Sequence, residues 1–83
     1  MYRIIISPTA SKELKNISKI YRKASAETLI ELKENPYIGK ALTRRLTGKY
    51  SYRIGVYRII YKINKKDKII YILTAGHRGK IYK

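Results

Sequence analysis

Residues 52–61 carry the pattern that decides the fold, and they read Tyr52-Arg53-Ile54-Gly55-Val56-Tyr57-Arg58-Ile59-Ile60-Tyr61. Apolar and polar residues alternate on both sides of a central glycine, which is typical of two antiparallel strands joined by a tight turn. Glycine in the first central position suits a type II′ turn at Gly55-Val56. This turn predicts that Arg53 lies directly opposite Arg58.

Alternation divides the side chains of this hairpin between two faces of a sheet. One face is apolar and forms the predicted core: Tyr52, Ile54, Tyr57, Ile59, Tyr61 and Ile63. The other face carries Ser51, Arg53, Arg58, Ile60 and Lys62. Like charges directly opposite each other destabilise a hairpin, whereas the fork of an arginine matches a phosphate. The second face is therefore either a solvated cationic surface or an anion-binding surface, and the hairpin alone leaves both open.

The size and composition of the chain bound the kind of protein. With 83 residues we expect one domain, residues 1–83, with one small core. The absence of Cys and the single His argue against a disulfide framework and a metal site, so we predict no metal and no cofactor. The apolar residues 4–6 after Met1 are too few for a signal peptide or a membrane span, which makes the cytoplasm the expected location.

Net charge is the strongest bulk signal. The chain has 20 Lys and Arg against 5 Asp and Glu, which gives a formal charge of +15. Such an excess favours polyanionic partners, with nucleic acid or a ribonucleoprotein first, although an acidic protein also fits. We expect no membrane partner, because no long basic amphipathic helix carries Trp or Phe.

The first half of the chain predicts a strand and two helices. Residues 2–6 form the strand, and Ser7-Pro8 starts a helix with Ser7 as its N-cap. A break near Ser18-Lys19 separates this helix from a second one, which ends at Asn35-Pro36 because the residue before proline disfavours helix. Apolar residues at helical spacing predict the buried faces: Leu14, Ile17, Ile20, Tyr21, Ala24, Ala26, Leu29, Ile30 and Leu32.

The second half predicts the sheet. Residues 37–49 form a connection, the hairpin follows, and residues 68–75 form a strand that is apolar on both faces and therefore central. Residues 80–83 are expected to form a short edge strand. The order β-α-α-β-β-β predicts an α+β fold, in which a mostly antiparallel sheet with an N-terminal strand has a helical pair packed on one face. The opposite face, with Arg53 and Arg58, is left for function.

Further motifs accompany the hairpin: Leu46-Thr47-Gly48, Gly76-His77-Arg78 and Tyr82. Together with the Ser-Pro helix start and the Glu-Asn-Pro helix end, they resemble the RelE/ParE superfamily of toxins from type II toxin–antitoxin modules over nearly the whole chain. The resemblance implies a RelE-like fold and a cognate RelB-like antitoxin that holds the toxin inactive. It also implies one of two activities, since RelE-type members cut mRNA in the ribosomal A site and ParE-type members poison DNA gyrase.

The resemblance extends to a cluster of basic residues and a C-terminal tyrosine that RelE-type members share. The matching positions are Arg53 in the strand before the turn, Arg58 in the strand after it, Arg78 after the last long strand, and Tyr82. Ser51 stands where some RelE members have another basic residue. This set favours a ribosome-dependent, metal-independent endoribonuclease that inhibits translation. The alternatives are a ParE-like gyrase inhibitor and a non-catalytic nucleic-acid-binding module.

Metal-free RNA cleavage needs a base that takes the 2′-OH proton and cations that stabilise the pentacovalent phosphorane. It also needs an acid that protonates the 5′-oxygen leaving group. The three arginines can supply the cations. Arginine is a poor base because it stays protonated, so the proton-transfer groups must be sought elsewhere. The candidates are His77, whose residue type titrates near neutrality, and Tyr82, which can also stack on a base. Both have a non-catalytic alternative: His77 can be an incidental residue at a strand end, and Tyr82 can be a packing residue of an edge strand.

Four further basic residues are candidates for contacts with RNA or the ribosome: Lys49, Lys80, Arg44 and Arg45. Phosphate contacts of this kind position a protein on its target without reading the base sequence. The alternative for each of them is a solvated surface.

Overall fold

The structure, a computed structural model, describes residues 1–76. Within this range the helices are α1, Pro8–Lys15, and α2, Lys19–Glu34. The strands are β1 (Arg3–Ile6), β2 (Lys40–Ala41), β3 (Lys49–Ile54), β4 (Tyr57–Asn64) and β5 (Ile69–Thr74). Two 3₁₀ turns, Pro36–Ile38 and Arg44–Leu46, flank β2.

The five strands form one sheet in the order β1-β5-β4-β3-β2. β1 is parallel to β5, and the other neighbours are antiparallel. The predicted α+β class is confirmed, as is the central position of β5. The edge strand β2 was not predicted, because two residues are too few to show alternation and only their pairing with β3 makes them a strand.

The predicted hairpin is confirmed in its register, with Arg53 opposite Arg58. Gly55 has φ +59°, a left-handed conformation that side chains disfavour, and a Cβ atom there would overlap the ring of Tyr21 in α2. The same tyrosine makes an edge-to-face contact with Tyr57, at 5.3 Å between ring centroids. Glycine is therefore required both by the turn and by the close approach of α2.

The helix signals in the sequence are also confirmed. The Ser7 hydroxyl accepts a hydrogen bond from the Ala10 backbone N at 3.0 Å and caps α1. α1 ends at Lys15, and the Arg22 guanidinium donates to the carbonyl oxygens of Lys15 (3.1 Å) and Ile17 (3.3 Å). These bonds satisfy carbonyl groups at the C-terminal end of α1 and tie it to α2.

The core lies between the two helices and the sheet. Its largest fully buried side chains are Tyr61, Leu32, Ile59, Ile70 and Ile72. The predicted core face of the hairpin is confirmed by Ile54, Ile59 and Tyr61, which are buried in the core cluster.

The predicted buried face of α2 is partly wrong. Ile20 and Ile30 are 82% and 62% exposed, and Ala26 is exposed as well. α2 instead buries Ser25 and Thr28, whose hydroxyls donate to helix carbonyl oxygens one turn earlier at 2.8 and 2.9 Å. Because these bonds satisfy the hydroxyl donors, the small polar residues can face the core. The other predicted residues of α2 are confirmed, since Leu32 is in the core and Tyr21, Ala24 and Leu29 pack against it.

Within residues 1–76, neither helix is long and apolar enough to cross a membrane.

Candidate anion-binding site on the sheet

The candidate site lies on the face of the sheet that is turned away from the helices. Alternation and the observed register place all six cations of the described strands on it: Arg3 in β1, and five on the adjacent strands β2, β3 and β4. These five are Lys40 in β2, Lys49 and Arg53 in β3, and Arg58 and Lys62 in β4. We call these five residues the basic face. Two pairs of like charge lie directly opposite each other within it, Lys49 with Lys62 and Arg53 with Arg58. Such pairs weaken a sheet unless an anion lies between them.

A cavity of about 370 Å³ opens at one end of the basic face, where β2 meets the hairpin. It is lined by Ile38, Gly39, Lys40, Ser51, Tyr52, Arg53 and Arg58. Three of these side chains are cations, and none is a carboxylate. A site with this composition attracts an anion, and arginine and lysine donors together match the oxygens of a phosphate.

The two arginines of the cavity have different surroundings. Arg53 is exposed, whereas Arg58 is half-buried and its Nε atom is buried. The backbone N of Arg58 donates to the carbonyl oxygen of Gly76 at 3.0 Å, which extends the pairing of β4 beyond the end of β5. Arg58 is thus held by the sheet on both sides, and its charge acts in a less polar environment than that of Arg53.

The wall formed by residues 36–40 is fixed by Tyr61. The Tyr61 hydroxyl donates to the carbonyl oxygen of Pro36 at 2.7 Å and accepts from the backbone N of Gly39 at 3.1 Å. A Cβ atom at Gly39 would overlap this hydroxyl and would lie 2.8 Å from the carbonyl oxygen of Ser51. Burial raises the pKa of Tyr61 to about 12, so the phenol stays protonated and keeps its donor. Tyr61 therefore sets where Lys40 stands relative to β3.

The predicted site residues divide into three groups. The structure brings Arg53 and Arg58 together as predicted, and Lys49 lies on the same face outside the cavity. Arg44 and Arg45 are exposed in a 3₁₀ turn and do not line it. His77, Arg78, Lys80 and Tyr82 lie outside the described residues, so their roles stay predictions.

Sequence reasoning missed the contribution of Lys40 to the cavity, and it did not assign Lys62 to the site. Alternation had already placed Lys62 on the face of Arg58, so this signal was available. No comparable signal existed for Lys40, because its place opposite Ser51 depends on the pairing of β2 with β3.

The chemistry open to this arrangement is charge stabilisation. Arginine stays protonated, so neither Arg53 nor Arg58 can act as a general base. Residues 1–76 contain no group of three or more His, Cys, Asp and Glu side chains suited to hold a metal ion. The cavity can bind a phosphate and stabilise negative charge that develops on it.

Comparisons with known proteins agree with this architecture. Residues 4–82 match the family model described as the ParE toxin of the type II toxin–antitoxin system parDE. The chain is 32% identical over 84 residues to the toxin RelG of Mycobacterium tuberculosis, covering 99% of this chain and 97% of the relative.

Solved structures show the same fold. The chain superposes with a TM-score of 0.84 on the toxin–antitoxin complex RelBE2 of M. tuberculosis, at 32% identity, covering 93% of this chain and 98% of that one. The intact RelBE complex of E. coli gives a TM-score of 0.80 at 20% identity, covering 93% and 96%, and at that identity it supports the fold alone. Family model, relative and structures together show that the chain belongs to the ParE toxin family of type II toxin–antitoxin systems.

Proposed function

We propose that this toxin is an endoribonuclease that cuts mRNA on the ribosome without a metal ion, in the cytoplasm. The observation that carries the proposal is the cavity on the basic face, where Lys40, Arg53 and Arg58 converge and residues 1–76 contribute no carboxylate to the lining. A nuclease of this kind needs cations around the scissile phosphate more than any other group. The toxin relatives named RelG and RelE support this activity over a purely binding role.

The proposed reaction is an attack of the ribose 2′-oxygen on the adjacent phosphorus. The bond from the 2′-oxygen to phosphorus forms, the bond to the 5′-oxygen breaks, and the products are a 2′,3′-cyclic phosphate and a free 5′-hydroxyl. Arg53 and Arg58 stabilise the charge that accumulates on the phosphoryl oxygens in between. Lys40 adds a third cation at the β2 side of the cavity.

The proton-transfer roles fall on the residues after Gly76. We propose Arg78 as a further phosphate ligand, and His77 and Tyr82 as candidates for taking the 2′-OH proton and supplying the 5′-oxygen proton. Lys49, Lys80, Arg44 and Arg45 are proposed contacts with the RNA or the ribosome. Neither arginine of the cavity can take up a proton, which leaves His77 and Tyr82 as our first candidates for the general base.

We further infer a cognate RelB-like antitoxin as partner, since RelBE2 and RelBE were solved as toxin–antitoxin complexes. The charge of the basic face is complementary to an acidic segment of such a partner.

The decisive experiment is cleavage of a defined mRNA with and without ribosomes that carry an open A-site codon. We expect cleavage only on the ribosome, and a fall of about 10²–10³ in rate for Arg58→Ala, the usual effect of losing one group that stabilises the transition state. Lys66→Ala is the matched control, because it removes the same charge from the exposed turn between β4 and β5. Equal rates for the two variants would contradict the assignment of Arg58.

A second candidate function, inhibition of DNA gyrase, is favoured by the family model, which carries the name ParE. The same purified protein tests it in a supercoiling assay. Folded protein that arrests growth, leaves mRNA intact on and off the ribosome, and blocks supercoiling would replace the nuclease proposal. Folded protein that causes no growth arrest would favour the non-catalytic nucleic-acid-binding module.

A further inference from the structure

β5 extends beyond β1 at one end of the sheet, where the side chains of Ser7 and Glu13 take the place of the missing strand. β1 ends at Ile6, opposite Ile72, and the next backbone N, of Ser7, still donates to the Ile72 carbonyl oxygen at 2.9 Å. The chain then turns into α1. From Leu73 onwards the edge of β5 is met by side chains, first by the Ser7 hydroxyl, which donates to the Leu73 carbonyl oxygen at 2.8 Å.

Glu13 of α1 makes the last contacts of this series. Its Oε1 accepts from the Thr74 hydroxyl at 2.6 Å and from the Ala75 backbone N at 3.0 Å. Hydrogen bonds to an ionised carboxylate are roughly twice as strong as those between neutral groups. Glu13 is also set apart among the five acids of the chain, because it is half-buried and the other four are exposed: Glu27, Glu31, Glu34 and Asp67.

The segment held by Glu13 also holds Arg58 from the opposite edge. The Ala75 N–H bonds to Glu13, and the carbonyl oxygen of the next residue, Gly76, accepts from the Arg58 backbone N at 3.0 Å. Ala75 itself is fully buried, so this piece of backbone has little freedom to move. A two-residue span therefore connects the Glu13 carboxylate to the backbone of an arginine that lines the cavity.

We propose that Glu13 is a positioning residue for Arg58. It lies on α1, on the helix side of the sheet, and touches no substrate. By fixing Thr74 and Ala75 it fixes the Gly76 carbonyl, and with it the backbone that carries the Arg58 side chain. The catalytic consequence rests on the proposed function, whereas the effect on the Arg58 backbone does not.

The test uses three variants of the full chain. Glu13→Ala removes the acceptor, and Glu13→Gln keeps an amide oxygen that can accept both bonds. Glu27→Ala is the control, since it removes an exposed acid from α2. The first readout is hydrogen exchange of the Arg58 amide. We expect exchange about tenfold faster in Glu13→Ala, at unchanged rates in α2, and rates close to the wild type in Glu13→Gln and Glu27→Ala.

The second readout is single-turnover cleavage on programmed ribosomes. We expect Glu13→Ala to lower the maximal rate of cleavage about tenfold. The concentration of programmed ribosomes that gives half of this rate should change by no more than about twofold, and Glu13→Gln should restore most of the rate. This split separates misplacement of Arg58 from a general loss of structure, which would weaken ribosome binding as well.

The possible results decide separately on Glu13 and on the nuclease. Wild-type exchange at Arg58 in folded Glu13→Ala would overturn the inference, as would a failure of Glu13→Gln to restore either readout. If wild-type protein does not cut mRNA, the proposed function fails and the exchange data alone decide on Glu13. If Glu13→Ala does not fold, Glu13→Asp takes its place, because its shorter side chain withdraws the carboxylate from both Thr74 and the Ala75 N–H. Faster Arg58 exchange in Glu13→Asp supports the inference, and an unchanged rate overturns it.

Discussion

Replacing Tyr61 with phenylalanine removes one oxygen and leaves two backbone groups without their partner. Tyr61 is completely buried, and its hydroxyl connects the Pro36 carbonyl (2.7 Å) with the Gly39 N–H (3.1 Å). The ring stacks on Tyr50, with ring centroids 5.6 Å apart, and phenylalanine preserves this contact. The substitution therefore tests the two hydrogen bonds with little change in packing.

The expected loss follows from the burial of the two groups. A buried polar group left unpaired costs about 1–3 kcal/mol. Pro36 is buried, whereas Gly39 is partly exposed and gains a bond to water, so we expect the free energy of unfolding to fall by about 2–3 kcal/mol in total. For a chain of this length the whole stability is roughly 4–12 kcal/mol, which makes the loss easy to measure.

The assay is urea unfolding at neutral pH, followed by circular dichroism. Tyr50→Phe is the matched control, because the Tyr50 hydroxyl forms no hydrogen bond with the described part of the chain. We expect this control to lie within about 0.5 kcal/mol of the wild type. An equally small effect for Tyr61→Phe would refute the reasoning, since it would mean that the cavity wall formed by residues 36–40 does not depend on Tyr61.

Three further predictions concern pH, the glycine turn and salt. Burial raises the pKa of Tyr61 from 10.0 to about 12, so the contribution of the protonated phenol is complete below pH 10 and is lost as the pH rises through 12. Unfolding curves should show a loss of up to about 3 kcal/mol over this range that Tyr61→Phe lacks. Gly55→Ala should lower the free energy of unfolding, measured by thermal unfolding, by about 2–3 kcal/mol, because the new Cβ overlaps the Tyr21 ring. Gly48→Ala is the control: Gly48 also has positive φ, but a Cβ there meets nothing within 4 Å, so the loss should be only about 1 kcal/mol. Lys40→Ala should reduce the slope of log affinity against log salt for single-stranded RNA by about 0.7, whereas exposed Lys33→Ala should not; equal slopes would remove Lys40 from the site.

The hairpin and the helix ends could be predicted because their signals are local. Gly55 fixes the turn, the turn fixes the register, and the register places Arg53 opposite Arg58. Ser7 and Pro36 likewise act within one turn of the chain. Which apolar residues of α2 face the core is not decided locally. Ile20 and Ile30 have helical spacing, and only the way α2 packs against the sheet leaves them exposed.

The cavity could be predicted only in part for the same reason. Arg53 and Arg58 are neighbours through the hairpin, but Lys40 reaches the site through contacts between distant parts of the chain. Tyr61 bonds to Gly39 across 22 residues, and Glu13 bonds to Ala75 across 62. Neither bond leaves a pattern in a single sequence, because a tyrosine in a strand and a glutamate in a helix are ordinary residues at those places.

The charge of the basic face links stability to binding. The β3–β4 ladder contains two directly opposed like-charge pairs, Lys49 with Lys62 and Arg53 with Arg58, and each weakens the sheet on its own. The acids that could offset them lie elsewhere, three of them on the exposed surface of α2: Glu27, Glu31 and Glu34. Folding of this chain therefore retains a repulsion that a bound polyanion removes. Any such ligand, RNA or an acidic segment of an antitoxin, gains affinity from that relief. It stabilises the folded toxin by a free energy that grows with the logarithm of its concentration over Kd. The four paired cations that reduce the stability of the free protein thus also attract the partners that we propose.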